Sequence, residues 1–488
     1  MTLPAVNITE LDGSLGVLPT SSGRLFALVG AATAGPLNTP ATFARVKDIV
    51  SNFTSGPLVE AACEYVAKYS KPVVLVRTGN STAGTVSSIT STAAGGSTAV
   101  VTVQASPAPL DDYELAVKII TGGTRGVAGI TYQYSVDGGR TWSATQTLGT
   151  ALAFTFPAAF GTIVFSIAAG TLTAGDLFTA RTTAPQWSNT ELTTALTALQ
   201  NSAVNWEILH PVGPLDATSA GLVDAAIQSM FSAGKYHSWV GNTRVPNLAE
   251  TEASYLTAMG TIASTYTTIY GSLYAGGIKL TSSVSGRKYK RPVAFMTAAR
   301  EASVSEEINI ADPNQAPFTG VSIRDSNGNP DEHDEAVNPG LDDLGFGTLR
   351  TWDGIGVYVT RPRILSPAGS DFQLQPHRRV LNLAHGALRA YFRNRLNKPV
   401  LVSSATGFIL ESEALEIEAG ALAAMRSVLT AKPKASGVQF SLSRTDNLLS
   451  TKTMNGSARV IPLAYPEFIT LDVGFYNPAL QLLAAAAA

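Results

Sequence analysis

The chain has 488 residues, 45% hydrophobic and 14% charged, with a formal net charge of −2. Its length calls for about two to four domains, and the near-neutral balance offers no whole-chain attraction to nucleic acid or to an anionic membrane. A single cysteine, Cys63, excludes an intramolecular disulfide framework and fits assembly in a reducing cytoplasm.

Charged residues fall well below the roughly 25% of average soluble proteins. Much of the surface is therefore left to Ser, Thr, Ala and Gly, which suits packing against further copies of the same chain. The first residues lack a basic and then apolar leader, and no apolar run approaches the ~18 residues of a membrane span. The expectation is a soluble chain with no stable membrane insertion.

Residues 1–20 carry Pro4, Gly13 and Pro19 with a short apolar alternation at Val6, Ile8 and Leu11, the pattern of an extended arm able to lend a strand. A strand at 24–31, a helix at 57–69 and a strand at 72–77 open an α/β unit with parallel strands. Cys63 lies on the apolar face of that helix and reads as a buried small hydrophobe. From residue 80 to 187 the composition turns to Thr, Ser, Ala and Gly, with short strand-like runs at 100–103, 115–119, 130–136 and 163–167. These predict an inserted all-β domain, a sandwich or small barrel, and an insertion into a surface loop is tolerated because closure cost grows slowly with length.

Helices are then expected at 189–199, 217–233 and 248–266, with strands at 205–212 and 292–296. Residues 312–343 read as loop. Helices at 375–397 and 408–429 follow, then strands at 438–443, 458–464 and 468–475, and a loose tail. No repeat of 20–50 residues is visible. The fold class is a multidomain α/β and α+β chain: an arm (1–20), a discontinuous α/β core (21–79 with 188–345), the β insertion (80–187), a C-terminal α/β domain (346–466) and a C-terminal arm (467–488).

Short motifs resolve to turns. Ser135-Val136-Asp137-Gly138-Gly139-Arg140-Thr141-Trp142 matches the Asp-box of sialidase propellers, but propellers carry several boxes and this chain has one. It reads as a hairpin in which Asp137 bonds turn amides and Trp142 packs below. Asp325, Asn327 and Asn329 alternate as in a calcium loop, yet Pro330 and Ala336 stand where an EF-hand has Gly and Glu. The run Asp331-Glu332-His333-Asp334-Glu335 is read as a solvated loop. His210, His237, His333, His377 and His385 form no zinc signature, and no phosphate loop, nucleophile elbow or full dinucleotide fingerprint is present. No catalytic or metal residue and no cofactor is selected.

The helix at 375–397 has two stripes. Leu381, Ala384, Leu388, Tyr391 or Phe392, and Leu396 form the core-facing one, and Arg378, His385, Arg389 and Arg393 the basic one. The basic stripe either meets Glu411, Glu413, Glu416 and Glu418 of the next helix or faces an acidic surface on another protein through charge-assisted bonds. Aromatics are not interleaved on it, which disfavours direct nucleic-acid binding.

Two blocks together resemble the contractile tail sheath proteins. In residues 348–398, Arg350-Thr351, a Gly-rich strand at 354–360, an arginine-led strand at 361–365 and Arg378-Arg379 with Asn382 follow the family's C-terminal order. In residues 25–78, Gly30, Gly35-Pro36, Asn38, Pro40, the helix and the strand ending in Arg77 follow its opening. The resemblance implies a non-enzymatic virion protein, assembled in the host cytoplasm. It implies a helical homopolymer of stacked rings around a tail tube, with baseplate and tail terminator partners, contracting to drive the tube through the host envelope for genome delivery. It also implies that the basic stripe Arg378, His385, Arg389 and Arg393 faces the tube. Val6, Ile8 and Leu11 of one arm, and Leu471, Val473 and Phe475 of the other, would be exchanged between subunits as strands. Two other readings stay open: a different virion component, an adhesin or decoration protein binding the host through the β domain, and a carbohydrate-active enzyme using that domain as its module.

Overall fold

The structure is a computed structural model and describes residues 25–325, 327–328 and 330–475. The calls on Val6, Ile8 and Leu11, and on Asn329 of the calcium-like loop, lie outside the described residues.

A six-stranded sheet organises the body, in the order Gly271–Tyr274, Ser238–Asn242, Trp206–Val212, β1 (Leu25–Gly30), β3 (Val73–Arg77) and β2 (Ala41–Phe43). All neighbours are parallel except the edge strand β2, which pairs antiparallel to β3. A parallel sheet is buried on both faces, and β1 shows it: Phe26 and Leu28 join one core, Ala27 and Val29 the other. Helices α1 (Val46–Phe53) and α2 (Pro57–Tyr69) cover the first face, while α3 (Asn189–Asn201), α4 (Ala217–Ser232) and α5 (Glu252–Thr265) cover the second. Pro57 sits in the first turn of α2, where a missing N–H costs nothing, and Ser188 with Glu191 closes a capping box on α3.

The expected strand at 292–296 is corrected. The strand is Lys288–Pro292, and α6 (Ala294–Ser303) follows at once on the first face of the sheet. Val293-Ala294-Phe295-Met296 is apolar enough to pass for a strand, but the alanines behind it propagate a helix, and the Ala294 amide is held by the Asn242 side chain at 3.0 Å.

Between residues 90 and 181 the structure holds strands and one short 3-10 turn. A five-stranded antiparallel sheet and the three-stranded sheet Ala153–Thr155, Val164–Ile167, Val101–Val103 share one core of Val117, Ile130, Phe154, Phe165 and Phe178. The hairpin motif folds as a turn clamp: Asp137 accepts from the Thr141 amide (2.9 Å), the Thr141 hydroxyl (2.6 Å) and Ser135 (2.7 Å). The body reaches into this region. Tyr289 lies in its core against Tyr113, with ring centroids 5.8 Å apart, and Arg291 pairs with Asp111 at 2.8 Å with both side chains buried.

The acidic run at 331–335 is a second correction, because its centre, Glu332, His333 and Asp334, is buried rather than solvated. Lys290 pairs with Glu332 at 2.8 Å, Lys279 with Asp331, and Arg324 with Asp334 at 2.9 Å. His333 lies between Glu252 (3.1 Å) and Glu335 (2.8 Å). Burial alone would lower the His333 pKa, but the two carboxylates outweigh it and raise it to about 9. Lys279 and Lys290, on strands about 40 to 50 residues upstream, neutralise much of the run, which a local count of charges does not reveal.

Candidate assembly surface

Helices α7 (Gln375–Arg393) and α8 (Glu411–Val428) pair antiparallel, Val380 and Ala384 packing on Met425 and Leu429. The hairpin Gly437–Leu442 with Gly456–Ile461 lies against α8. Gly420 admits Tyr391, whose hydroxyl donates to the Ile417 carbonyl at 3.1 Å; a β-carbon there would collide with the ring.

The start of α7 is embedded in the body. Arg379 donates from Nε to Glu207 (2.8 Å), from Nη2 to the Val304 carbonyl (3.0 Å) and from Nη1 to the Ser305 carbonyl (3.3 Å), with Glu301 3.6 Å away. Glu301 is fully buried, and that burial lifts its pKa to about 7 despite Arg379. This junction escaped sequence reasoning; its one signal is the Arg378-Arg379 pair in a helix turn that also carries Pro376.

The basic stripe divides, and two of its four residues do not face outward within this chain. Arg378 is 2% exposed. Its guanidinium bonds Asn382 (2.7 and 3.0 Å) and lies 5.0, 5.0 and 5.2 Å from the rings of Phe231, Tyr270 and Phe372, where burial lowers its pKa to about 10. His385 packs between Phe231 and Tyr236, and burial, then the charge of Arg378, pushes it down to about 4. The stripe crosses from the body to solvent one turn later. Arg389 and Arg393 are exposed, Arg389 resting over Gly234 just past the end of α4. Three of the four carboxylates of α8 are taken by other arginines: Arg395 pairs with Glu416 (2.7 Å), and Arg444 with Glu411 and Glu418 (both 2.7 Å).

Beyond Ile461 the chain runs without regular structure to residue 475, so the expected strand at 468–475 finds no pairing in the described chain. Its apolar side chains point into solvent: Phe468, Ile469, Leu471, Val473 and Phe475 are all at least 74% exposed. The hairpin that precedes it in the chain is two-stranded, so each strand keeps one open edge, and Leu396, Leu401, Leu449 and Ile461 of the C-terminal region are also exposed. An open edge offers unpaired amides and carbonyls to any extended segment. Among the described residues no group of three or more His, Cys, Asp or Glu side chains is placed to hold a metal ion, and no helix is long and apolar enough to cross a membrane.

The N-terminal domain defined for the DUF2586 family matches residues 3–363. The chain belongs to the DUF2586 family. No curated protein matches it by sequence. Among solved structures, this DUF2586 chain is similar to the sheath of an extracellular contractile injection system, the PVC sheath complex in its contracted state, with TM-score 0.52, 11% identity and 99% of both chains covered. It is also similar to a chain of the anti-feeding prophage baseplate, with TM-score 0.51, 10% identity, 98% of this chain and 100% of that one covered. The sheath tail protein Lin1278 of Listeria innocua matches at TM-score 0.43 and 14% identity, over 91% of this chain and 97% of that one. The DUF2586 chain has the fold of contractile sheath proteins. The family match ends at residue 363, shortly before α7, so the region that carries the open hairpin follows it.

Proposed function

We propose that this chain is the structural sheath subunit of a contractile tail or injection particle, with no catalytic role. Copies polymerise as stacked rings around a tube and contract to drive it through an envelope. The observation that carries the proposal is the unpaired apolar segment 468–475 in a chain that also presents an open-edged hairpin and has the sheath fold. Leu471, Val473 and Phe475, together with Val6, Ile8 and Leu11 of the N-terminal arm, add strands to the hairpins of neighbouring copies. Each apolar side chain so buried contributes about 1.5 to 3 kcal/mol, enough to keep subunits linked while rim contacts break. Arg389 and Arg393 are the residues of the basic stripe left to face a tube. The α/β body forms the ring wall, residues 80–187 lie on its outside, and baseplate and terminator proteins bound the polymer.

Electron microscopy of the full chain expressed alone, and co-expressed with its tube protein, tests this. Hollow cylinders of uniform bore, lost on deleting residues 468–488, are expected. Small closed oligomers under both conditions would overturn the reading.

A further inference from the structure

The segment 462–475 changes character at residue 467. Up to that point it is tied to the body at four places. The Ser436 hydroxyl donates to the Pro462 carbonyl (3.0 Å), and His377 Nε2 lies 3.2 Å from the Leu463 carbonyl. The Tyr465 ring packs on His377 with centroids 5.5 Å apart, and its hydroxyl donates to the Glu307 carbonyl at 2.5 Å. Glu467 pairs with Arg361 at 2.7 Å. Past Glu467 no side-chain bond or ion pair to the body occurs among the described residues, and the apolar run begins.

The charges around Glu467 explain why it is held. Arg361 and Arg363 both bond Asp342, which is 4% exposed, so that cluster has two cations on one carboxylate. Glu467 supplies the second anion and balances it. Glu467 and Arg361 keep part of their surface in water, so this half of the tie weakens with salt. The Tyr465 half, an aromatic contact and a hydrogen bond to backbone, does not depend on salt in that way.

We propose that Tyr465 and Glu467 are positioning residues, a clamp at the root of the C-terminal segment that sets where residues 468–475 leave the body and presents them to the hairpin of a second copy of this chain. This rests on the strand-exchange reading above. The clamp acts by preorganisation: with the root held, docking orders only the arm itself, whereas a released root adds the ordering entropy of residues 462–467 to every docking event.

The test uses the full chain and the variants Glu467→Gln, Glu467→Arg and Tyr465→Ala, with deletion of 468–488 as control. Root mobility is read in the unassembled chain by spin-labelling Ala464→Cys, since the native Cys63 is buried. Assembly is read as the critical concentration for polymer at several salt concentrations. The clamp predicts a mobile label in Tyr465→Ala and Glu467→Arg. It predicts a critical concentration raised about tenfold, a flattened salt dependence in Glu467→Gln, and an unchanged melting temperature. A label equally immobile in all variants, or loosened roots with an unchanged critical concentration, would overturn the clamp. Normal polymer from the deletion variant would instead overturn the strand-exchange reading.

Discussion

In the body, Lys290, Arg291, Glu301, Glu332, His333 and Asp334 are buried and matched with opposite charges. From residue 395 onward the pattern reverses: Leu396, Leu401, Leu449, Phe468, Ile469, Leu471 and Val473 face solvent while the ion pairs of Arg395 and Arg444 lie at the surface. A buried charge is tolerated only while its partner stays in place, so the body is built to hold one geometry. Exposed apolar surface of this extent calls for a cover, so the C-terminal region is complete only in company. One chain thus combines a rigid unit with an unfinished one.

The sharpest way to break that comparison is at Arg379. Arg379→Ala leaves Glu207 and Glu301 without their cation and is expected to cost about 3 to 5 kcal/mol in denaturant unfolding. Adding Glu301→Gln should recover part of the loss, and full stability of the single variant would show that the junction is not what seats α7. Next comes Tyr289→Ala, which opens the core of the β-rich region and should cost about 3 kcal/mol, with hydrogen exchange rising between residues 90 and 181. For the same reason, a chain lacking residues 80–187 is expected to assemble only when Tyr289 and Arg291 are also replaced by polar neutral residues.

The pH dependence follows in size. Glu301 is raised from 4.5 to about 7, so its contribution is complete below about pH 4.5 and is lost as pH rises through 7. His333 is raised from 6.5 to about 9, so its contribution is complete below pH 6.5 and is lost as pH rises through 9. The melting temperature should therefore fall in two steps as pH rises, the first between about pH 4.5 and 7 and the second between about 6.5 and 9; Glu301→Gln should remove the first and His333→Gln the second. The smallest effects on stability belong to the unfinished region. Leu471→Asp with Val473→Asp, and Arg389→Ala with Arg393→Ala, should each change unfolding by under about 0.5 kcal/mol. The first pair should abolish polymer, and the second should weaken tube binding most at low salt, the difference from the unaltered chain shrinking as salt rises.

What could be read in the sequence was what local periodicity encodes. Helix Pro57–Tyr69 has Pro in its first turn and an apolar stripe, and its bounds match the expectation residue for residue. The parallel strands β1, β3 and Trp206–Val212 are mostly apolar, with Arg77, Glu207 and His210 as the exceptions, as burial on two faces requires. Two of the failures involve partners from elsewhere in the fold. The run at 331–335 is neutralised by Lys279, Lys290 and Arg324, and Arg378 is enclosed by rings from α4, from Tyr270 and from Phe372. Arg389 and Arg393 were legible as basic and exposed, because a helix end projecting past its support follows its own period. Glu301 was not, since a single carboxylate in an alanine-rich helix carries no sign of the arginine it will meet.

The place of β1 in the sheet has a consequence for synthesis. β1 lies between β3, which follows within 50 residues, and Trp206–Val212, which follows only after the whole β-rich region. At about 5 to 20 residues per second, the apolar edge of β1 waits on the order of ten seconds or more on the ribosome for its second neighbour. During that wait the emerging chain offers an unpaired parallel edge to its sister chains on the same message, so the order in which strands leave the ribosome, as well as their final stability, sets the yield of usable subunits.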